Sequence, residues 1–224
     1  MSVIAIIPAR GGSKGIPRKN IRMFKDKPLI VHSIEQAIAA QSISRVIVST
    51  DDDEIASVAR KAGAEVPFMR PSKIAQDLST DIEFMQHYVE WQTKTNPEQL
   101  PSKIVQLRPT YPSRTPEFID ECVLAFNPDT HSSLRTVVPF EMSPFKMYTI
   151  EGENVLTPLF DCVGSVDEPY NACRQALPCT YLHNGCIDIM TPECIRGGSM
   201  SGKRIRSMIM DASETMDIDT EEDF

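Results

Sequence analysis

The chain has 224 residues, 41% of them hydrophobic and 24% charged, which is enough to bury one sizeable core without disulfide staples. Its 31 acidic residues outnumber 23 basic ones, for a formal net charge of −8, so non-specific nucleic-acid binding is not expected. No apolar run approaches the roughly 20 residues of a membrane span. The opening MSVIAIIPAR lacks the basic flank and cleavage site of a signal peptide. Cys122, Cys162, Cys173, Cys179, Cys186 and Cys194 form no CxxC pair, which fits free thiols in a reducing cytoplasm. A cytoplasmic protein without nucleic-acid or membrane partners is expected.

In chain order, VIAIIPA reads as a buried strand closed by Pro8. PLIVHSIEQAIAAQ then places Leu29, Ile30, Ser33, Ile34, Ala37 and Ile38 on one helical stripe. RVIVST (45–50) is a second strand, running into the acid-rich helix start of DDDEIASVARKAGA, whose end Gly63 marks. EVPFMR predicts a short third strand, DLSTDIEFMQHYVEWQTKTN a long amphipathic helix, and KIVQL (103–107) a fourth strand. TPEFIDECVLAF predicts a helix with Thr115 as N-cap and Pro116 at its first position, followed by SSLRTVV as strand five. This alternation predicts an α/β fold with a doubly wound, mostly parallel sheet. Residues 139–180, rich in proline, predict an inserted β-rich arm suited to subunit contacts, after which NGCIDIM and KRIRSMIM return as strands. The whole of 1–224 is expected to form one domain.

The loop IPARGGSKGIPRKN follows the first strand and holds Arg10, Lys14, Arg18 and Lys19 beside Gly11, Gly12 and Gly15. Glycines let backbone N–H groups approach an anion, and the cations add charge, so this is a candidate phosphate cradle. Its spacing matches neither GxxxxGK[ST] nor GxGxxG. In the tail MDIDT, Asp217 and Asp219 are two apart, so an extended backbone aims both to one side and Ile218 to the other. Two such carboxylates suit Mg²⁺ bridging substrate phosphates, although a solvated acidic tail has the same composition. RPTYPSRT (108–115) follows strand four, so Thr110, Ser113 and Arg114 could face a ligand there; a bland loop fits the pattern equally well. His32, His87, His131 and His183 show no metal or triad spacing and read as ordinary histidines.

Taken in order, IPARGGSKGIPRKN, VIVSTDDDEIASVARKAGAEVPFMRP, LRPTYPSRT, NGCIDIM and DIDTEEDF resemble the acylneuraminate cytidylyltransferases, the CMP-sialic acid synthetases, over nearly the whole chain. The resemblance implies a Rossmann-like nucleotidyltransferase fold with a small dimerisation arm and a homodimer. It implies a reaction in which CTP and a nonulosonic acid give the CMP-sugar and pyrophosphate, with Mg²⁺ as cofactor. By the same resemblance Arg10, Ser13, Lys14 and Lys19 hold the triphosphate, beside Ala9 and Gly11 of the loop. Asn20, Arg70 and Ser79 frame the ribose and cytosine, and Asp217 and Asp219 bind the metal. Arg10, Lys14, Lys19 and Asp219 are the expected catalytic set. Arg108, Thr110, Tyr111, Ser113, Arg114 and Asn184 are expected on the sugar side, with Lys146 and Arg174 of the arm. The family also leads to the expectation of a further helix beyond Phe224.

The sequence departs from that family on the sugar side. Sialic-acid enzymes typically read LQPTSPLRT, whereas here Arg108 stands for the glutamine, Tyr111 for the serine and Ser113 for the leucine. Their arginine before the Asn-Gly pair is replaced by Leu182 and His183. A glutamine-to-arginine change alters both charge and donor geometry. The expected acceptor is therefore a nonulosonic acid other than N-acetylneuraminate, such as a deaminated or dideoxy-diamino nine-carbon relative. Two alternatives stand beside it: a nucleotidyltransferase for another 3-deoxy acid or another NTP, and a catalytically silent nucleotide-binding protein.

Overall fold

The computed structural model describes residues 2–211 and 216–224. Its elements begin with β1 (Val3–Pro8), a short ribbon of β2 (Met23–Phe24) and β3 (Lys27–Pro28), α1 (Leu29–Ala39), β4 (Arg45–Ser49) and α2 (Asp53–Lys61). They continue with α3 (Asp81–Thr95), β5 (Lys103–Gln106), α4 (Pro116–Ala125) and β6 (Ser133–Phe140). The hairpin β7 (Tyr148–Glu151) and β8 (Val155–Pro158) and the ribbon β9 (Cys162–Val163) and β10 (Val166–Asp167) precede β11 (Thr180–Met190), α5 (Pro192–Arg196) and β12 (Ile205–Ile209).

Six strands form the central sheet in the order β12-β6-β11-β5-β1-β4. β1 pairs in parallel with β4 on one edge and β5 on the other. β11 is antiparallel to both β5 and β6, and β12 runs parallel to β6. The α/β, mostly parallel expectation holds, with one reversed strand. Ala5, Ile6 and Ile7 are wholly inaccessible because helices cover both faces of β1, as its unbroken apolar run requires.

The local chemistry of the helix ends is as the sequence predicts. Asp52 caps α2 by accepting from the Ile55 N–H at 2.9 Å, and Gly63 ends that helix with φ +95°. Thr115 caps α4, accepting from the Phe118 N–H at 3.2 Å, with Pro116 in the first turn. Two expectations are corrected. Ile38 is 51% exposed, because at 3.6 residues per turn it falls about 100° from the middle of the α1 stripe near Ala37. EVPFMR is not a strand: one parallel bridge, Ile47 to Glu65, is followed by Pro67, which has no N–H to continue a ladder. The segment instead turns to bring Arg70 back to β4, its N–H donating to the Thr50 carbonyl at 2.7 Å.

The sheet continues through Phe140 and resumes at Thr180, with residues 141–179 between them carrying the β7–β8 hairpin and the β9–β10 ribbon outside it. Ile150, Val155, Leu156 and Phe160 are exposed in this segment. Among the described residues, no helix is long and apolar enough to cross a membrane. All six cysteines are free.

Candidate active site

The strand order reverses at β1, with β4 to one side and β5 to the other. Open α/β sheets bind ligands beyond the carboxyl ends of the strands at such a switch point. A cleft of about 420 Å³ lies there, lined by Arg10, Ser13, Lys14, Gly15, Lys19 and Asn20 of the first loop. Arg70, Asp77, Ser79, Thr80 and Asp81 form a second side, with Arg108, Pro109 and Thr110 after β5 and Asp219 from the tail completing it. The glycine loop and the acidic tail, at opposite ends of the sequence, thus share one cleft.

Short backbone bonds shape the loop. The Ala9 N–H donates to Ser49 O at 3.0 Å and the Gly11 N–H to Asp51 Oδ1 at 2.9 Å, so Ala9 and Gly11 support the cradle from behind rather than line it. Gly11 is required by close approach, since a Cβ there would lie 2.8 Å from Asp52 Oδ2. Asn20, only 7% exposed, donates from Nδ2 to Arg10 O at 3.0 Å and holds the loop closed. Arg10 and Lys14 both pair with Asp77, at 3.0 and 2.5 Å. Lys19 reaches Asp219 Oδ1 at 3.1 Å and Ile218 O at 2.9 Å. Arg18 turns away to Asp52, at 2.5 Å, and to Glu54, so the fourth cation of the loop braces α2 and takes no part in the cleft.

Arg70 sits on the opposite wall, buried, with Nε donating to Ser49 Oγ at 3.0 Å and Nη2 to Ser49 O at 2.6 Å. Its guanidinium lies 4.8 Å from the Phe84 ring centroid. Desolvation pulls its pKa down to about 10, partly offset by Asp51 and Asp81, so it remains a cation at neutral pH. Ser79 closes a tight turn by accepting from the Gln76 N–H at 3.0 Å.

The sugar-side residues divide into two groups. Arg108 and Thr110 line the cleft. Arg108 is gripped on three sides, by Asp81 Oδ2 at 2.6 Å, Asp188 Oδ2 at 2.9 Å and Gly185 O at 2.9 Å. Gly185 has φ +73° in the bulge of β11, and a Cβ there would stand 2.6 Å from Arg108 Nη1. Asp188, 1% exposed, also lies 2.7 Å from His183 Nε2 and 3.7 Å from Arg135 Nη1. Burial alone would push the Asp188 carboxyl up. The His183 hydrogen bond and the charges of Arg108 and Arg135 outweigh it and hold the group below the usual aspartate range.

The other expected sugar contacts lie outside the cleft. Tyr111 is buried, its hydroxyl bonded to the Asn184 carbonyl and 3.2 Å from Asp217 Oδ2. Asn184 accepts on Oδ1 from Thr136 Oγ1 at 2.7 Å and the Cys186 N–H at 3.1 Å, which fixes the start of the bulge. Arg114 is corrected from a ligand-facing residue to an internal brace: it is 5% exposed and donates to Cys186 O at 2.8 Å, Arg108 O at 3.0 Å and Ser33 Oγ at 3.1 Å. Ser113 is exposed on the α4 side, away from the cleft. Lys146 and Arg174 belong to the arm, donating to Ala172 O and Glu141 O at 2.6 Å each, and do not reach the cleft of their own chain.

The tail has the expected alternation. Ile218 is wholly buried among Ile16, Phe24 and Leu29, while Asp217 and Asp219 are exposed. Partial desolvation and the Asp219 charge raise the Asp217 carboxyl, against hydrogen bonds from Thr110 and Tyr111 that lower it. Asp219 on the cleft with the like-charged Asp217 beside it is a donor pair that fits a divalent cation. Among the described residues no cluster of three or more His, Cys, Asp or Glu could hold a metal, so the remaining ligands would be substrate oxygens and water.

Asp77, Asp81, Arg135 and Asp188 were not expected at the site, and His183 only as standing, with Leu182, for the family's arginine before the Asn-Gly pair. Asp188 had a legible signal, an acid at the centre of the apolar strand CIDIM. The others pair only through the tertiary fold.

A family model described as cytidylyltransferase matches residues 4–140. The chain is 33% identical over 228 residues to a CMP-N,N'-diacetyllegionaminic acid synthase of Legionella pneumophila, covering 98% of this chain and 92% of that one. It is 33% identical over 187 residues to a pseudaminic acid cytidylyltransferase of Campylobacter jejuni, covering 84% and 77%. An N-acylneuraminate cytidylyltransferase of Escherichia coli is 31% identical over 99% of this chain and 50% of its own length. Among solved structures, a CMP:2-keto-3-deoxy-manno-octonic acid synthetase in complex with CTP superposes with a TM-score of 0.68 at 17% identity, over 99% of this chain and 95% of that one. That likeness speaks for the fold.

Proposed function

The chain belongs to the cytidylyltransferase family, and we propose that it transfers CMP from CTP to the anomeric hydroxyl of a nonulosonic, sialic-acid-like sugar acid, releasing pyrophosphate. The observation that carries this reading is the 3.1 Å contact of Lys19 with Asp219, which joins a phosphate loop to a metal-suited carboxylate across 200 residues of sequence. In this reading Arg10, Lys14 and Lys19 exchange their carboxylate partners for the triphosphate, with the Ser13 hydroxyl beside them. Asn20, Arg70 and Ser79 frame the ribose and base. The sugar's anomeric hydroxyl gives up its proton to solvent as its oxygen attacks the α-phosphorus, the bond to the bridging oxygen breaks, and pyrophosphate leaves in line. Positioning and charge neutralisation supply most of the catalysis. Asp217 and Asp219 would hold Mg²⁺, which would offset phosphate charge and lower the pKa of the attacking hydroxyl.

Arg108 and Thr110 face the acceptor. With Arg108 where sialic-acid enzymes have glutamine, the preferred acid is a relative of N-acetylneuraminate rather than that acid itself. Similarity to proteins named for legionaminic and pseudaminic acids supports this choice. The exposed apolar arm fits a homodimer, in which Lys146 and Arg174 of one protomer would approach its partner's cleft. Free thiols and a CTP substrate fit the cytoplasm.

Pyrophosphate release tests the reading, measured with CTP, UTP, ATP or GTP, Mg²⁺, and a panel of nonulosonic and eight-carbon 3-deoxy acids. Release with CTP and a nine-carbon acid is expected. Release only with another NTP or an eight-carbon acid would move the activity elsewhere in the fold, and none at all would leave a binding protein.

A further inference from the structure

The segment bearing Asp217 and Asp219 is fastened to the β2–β3 ribbon by contacts the transfer reaction does not use. Phe224 packs against the cluster around Ile218, its ring meeting that of Phe24 edge-on at 5.9 Å and 85°. The Arg22 guanidinium lies 4.6 Å from the Phe224 centroid, and its Nη1 pairs with Glu221 Oε2 at 2.5 Å. Arg22 is itself fixed, its carbonyl accepting from the Leu29 N–H at 2.9 Å. Upstream, the Ile218 N–H donates to Thr110 O at 2.9 Å.

We infer that Arg22, Phe24 and Phe224 are positioning residues, a clamp that sets the register of the tail so that Ile218 stays inward, Asp217 and Asp219 both stay outward, and Asp219 lines the cleft. In an extended chain neighbouring side chains alternate, so pinning Ile218 inward turns both flanking carboxylates outward. A slip of one residue would bury the carboxylates and expose the isoleucine. Buried Ile218, its amide bond to Thr110 and the Lys19 contacts fix the strand-like part. Asp223 closes the following turn on itself by accepting from the Asp219 and Thr220 amides, but none of these ties that turn to the body of the fold. The ring pair, the stacked guanidinium and the Glu221 ion pair tie it there at its far end. The clamp thereby meets in advance the ordering cost that cation binding would otherwise carry. This inference rests on the metal reading of Asp217 and Asp219.

The test uses Arg22→Ala, Phe224→Ala, Phe224→Leu and Asp219→Asn in the full chain, with three readouts. These are hydrogen exchange at the Ile218 amide without metal, Mn²⁺ binding by electron paramagnetic resonance with CTP present, and the Mg²⁺ concentration for half-maximal activity. Arg22→Ala and Phe224→Ala are expected to speed Ile218 exchange and weaken Mn²⁺ binding about fivefold to tenfold, the scale of an aromatic pair or a stacked cation. Half-activation by Mg²⁺ shifts by the same factor, while kcat at saturating Mg²⁺ and the KM for the acceptor hold. Phe224→Leu keeps apolar contact and recovers part of the loss. Unchanged exchange and unchanged Mn²⁺ affinity in both alanine variants would overturn the clamp, as would faster exchange spread evenly over the sheet. Wild-type Mn²⁺ binding by Asp219→Asn would instead sink the metal reading, with the Ile218 exchange still judging the clamp by itself.

Discussion

On the wall of the cleft proposed for the nucleotide, Arg10 and Lys14 share the accessible carboxylate of Asp77, and Lys19 leans on the accessible Asp219. Across from them, Arg108 is held by two carboxylates and a carbonyl, one carboxylate being the buried Asp188. Exposed pairs of the first kind are worth about 0–1 kcal/mol, so they are cheap to exchange for phosphate oxygens. Breaking a buried pair of the second kind costs several times more. In the proposed reading, the Asp77 side is thus set up to trade partners with the nucleotide, and the Arg108 side to keep its shape and select the acceptor.

The largest expected effect strikes where the two walls meet. Asp219→Asn should lower kcat by about three orders of magnitude with an unchanged fold, the scale of losing a preorganised charge at the reacting phosphate. Steady-state pyrophosphate release and circular dichroism check it together. Near-normal turnover would mean the tail is only a solvated acidic segment.

Asp188→Asn should act on stability first. Removing one partner of a buried charge cluster costs about 3 kcal/mol, readable in a denaturant midpoint. A carboxyl held below its ordinary range adds stability above its unfolded pKa, and this is lost as pH falls through the lower folded value. The variant should therefore show a flatter decline of stability with acid than the parent does. An unaltered acid limb would mean the Arg108 side is not held by charge.

Arg108→Gln should leave the KM for CTP within about twofold while shifting the kcat/KM ratio between acceptors by about tenfold to a hundredfold. Equal losses for CTP and every acid would merge the walls into one. Asp77→Asn is the smallest and runs the other way. With their carboxylate gone, Arg10 and Lys14 should lower the KM for CTP about twofold to fivefold at low salt, and the gain should fade as salt rises. A raised KM would make Asp77 a nucleotide ligand rather than a stand-in for phosphate.

The same contrast explains what the sequence made legible. The basic glycine loop and MDIDT were readable because their chemistry is local: residue type and spacing place backbone donors, cations and alternating carboxylates within a few positions. The Thr115 cap, the acid-rich start of α2 and its Gly63 end were readable for the same reason. Arg108 and Thr110 were named on the sugar side, but how Arg108 is held was not legible, because it takes its meaning from Asp81 on α3 and from Asp188 and Gly185 on β11, up to 80 residues away. Arg114 looks like a ligand-facing cation in RPTYPSRT, yet one turn of loop carries it behind the wall, where only carbonyls and a hydroxyl meet it. EVPFMR has strand composition, but Pro67 and the return of Arg70 to β4 decide otherwise.

The most direct test of the account is the acceptor preference of the wild-type protein set against that of Arg108→Gln. CTP, Mg²⁺ and matched concentrations of legionaminic-type, pseudaminic-type, deaminated and N-acetylneuraminic acids would be compared by pyrophosphate release. The account predicts that the wild type favours one of the relatives over N-acetylneuraminate and that the variant narrows or reverses the ratio. A wild type that prefers N-acetylneuraminate to all the others, with a ratio Arg108→Gln leaves untouched, would contradict it.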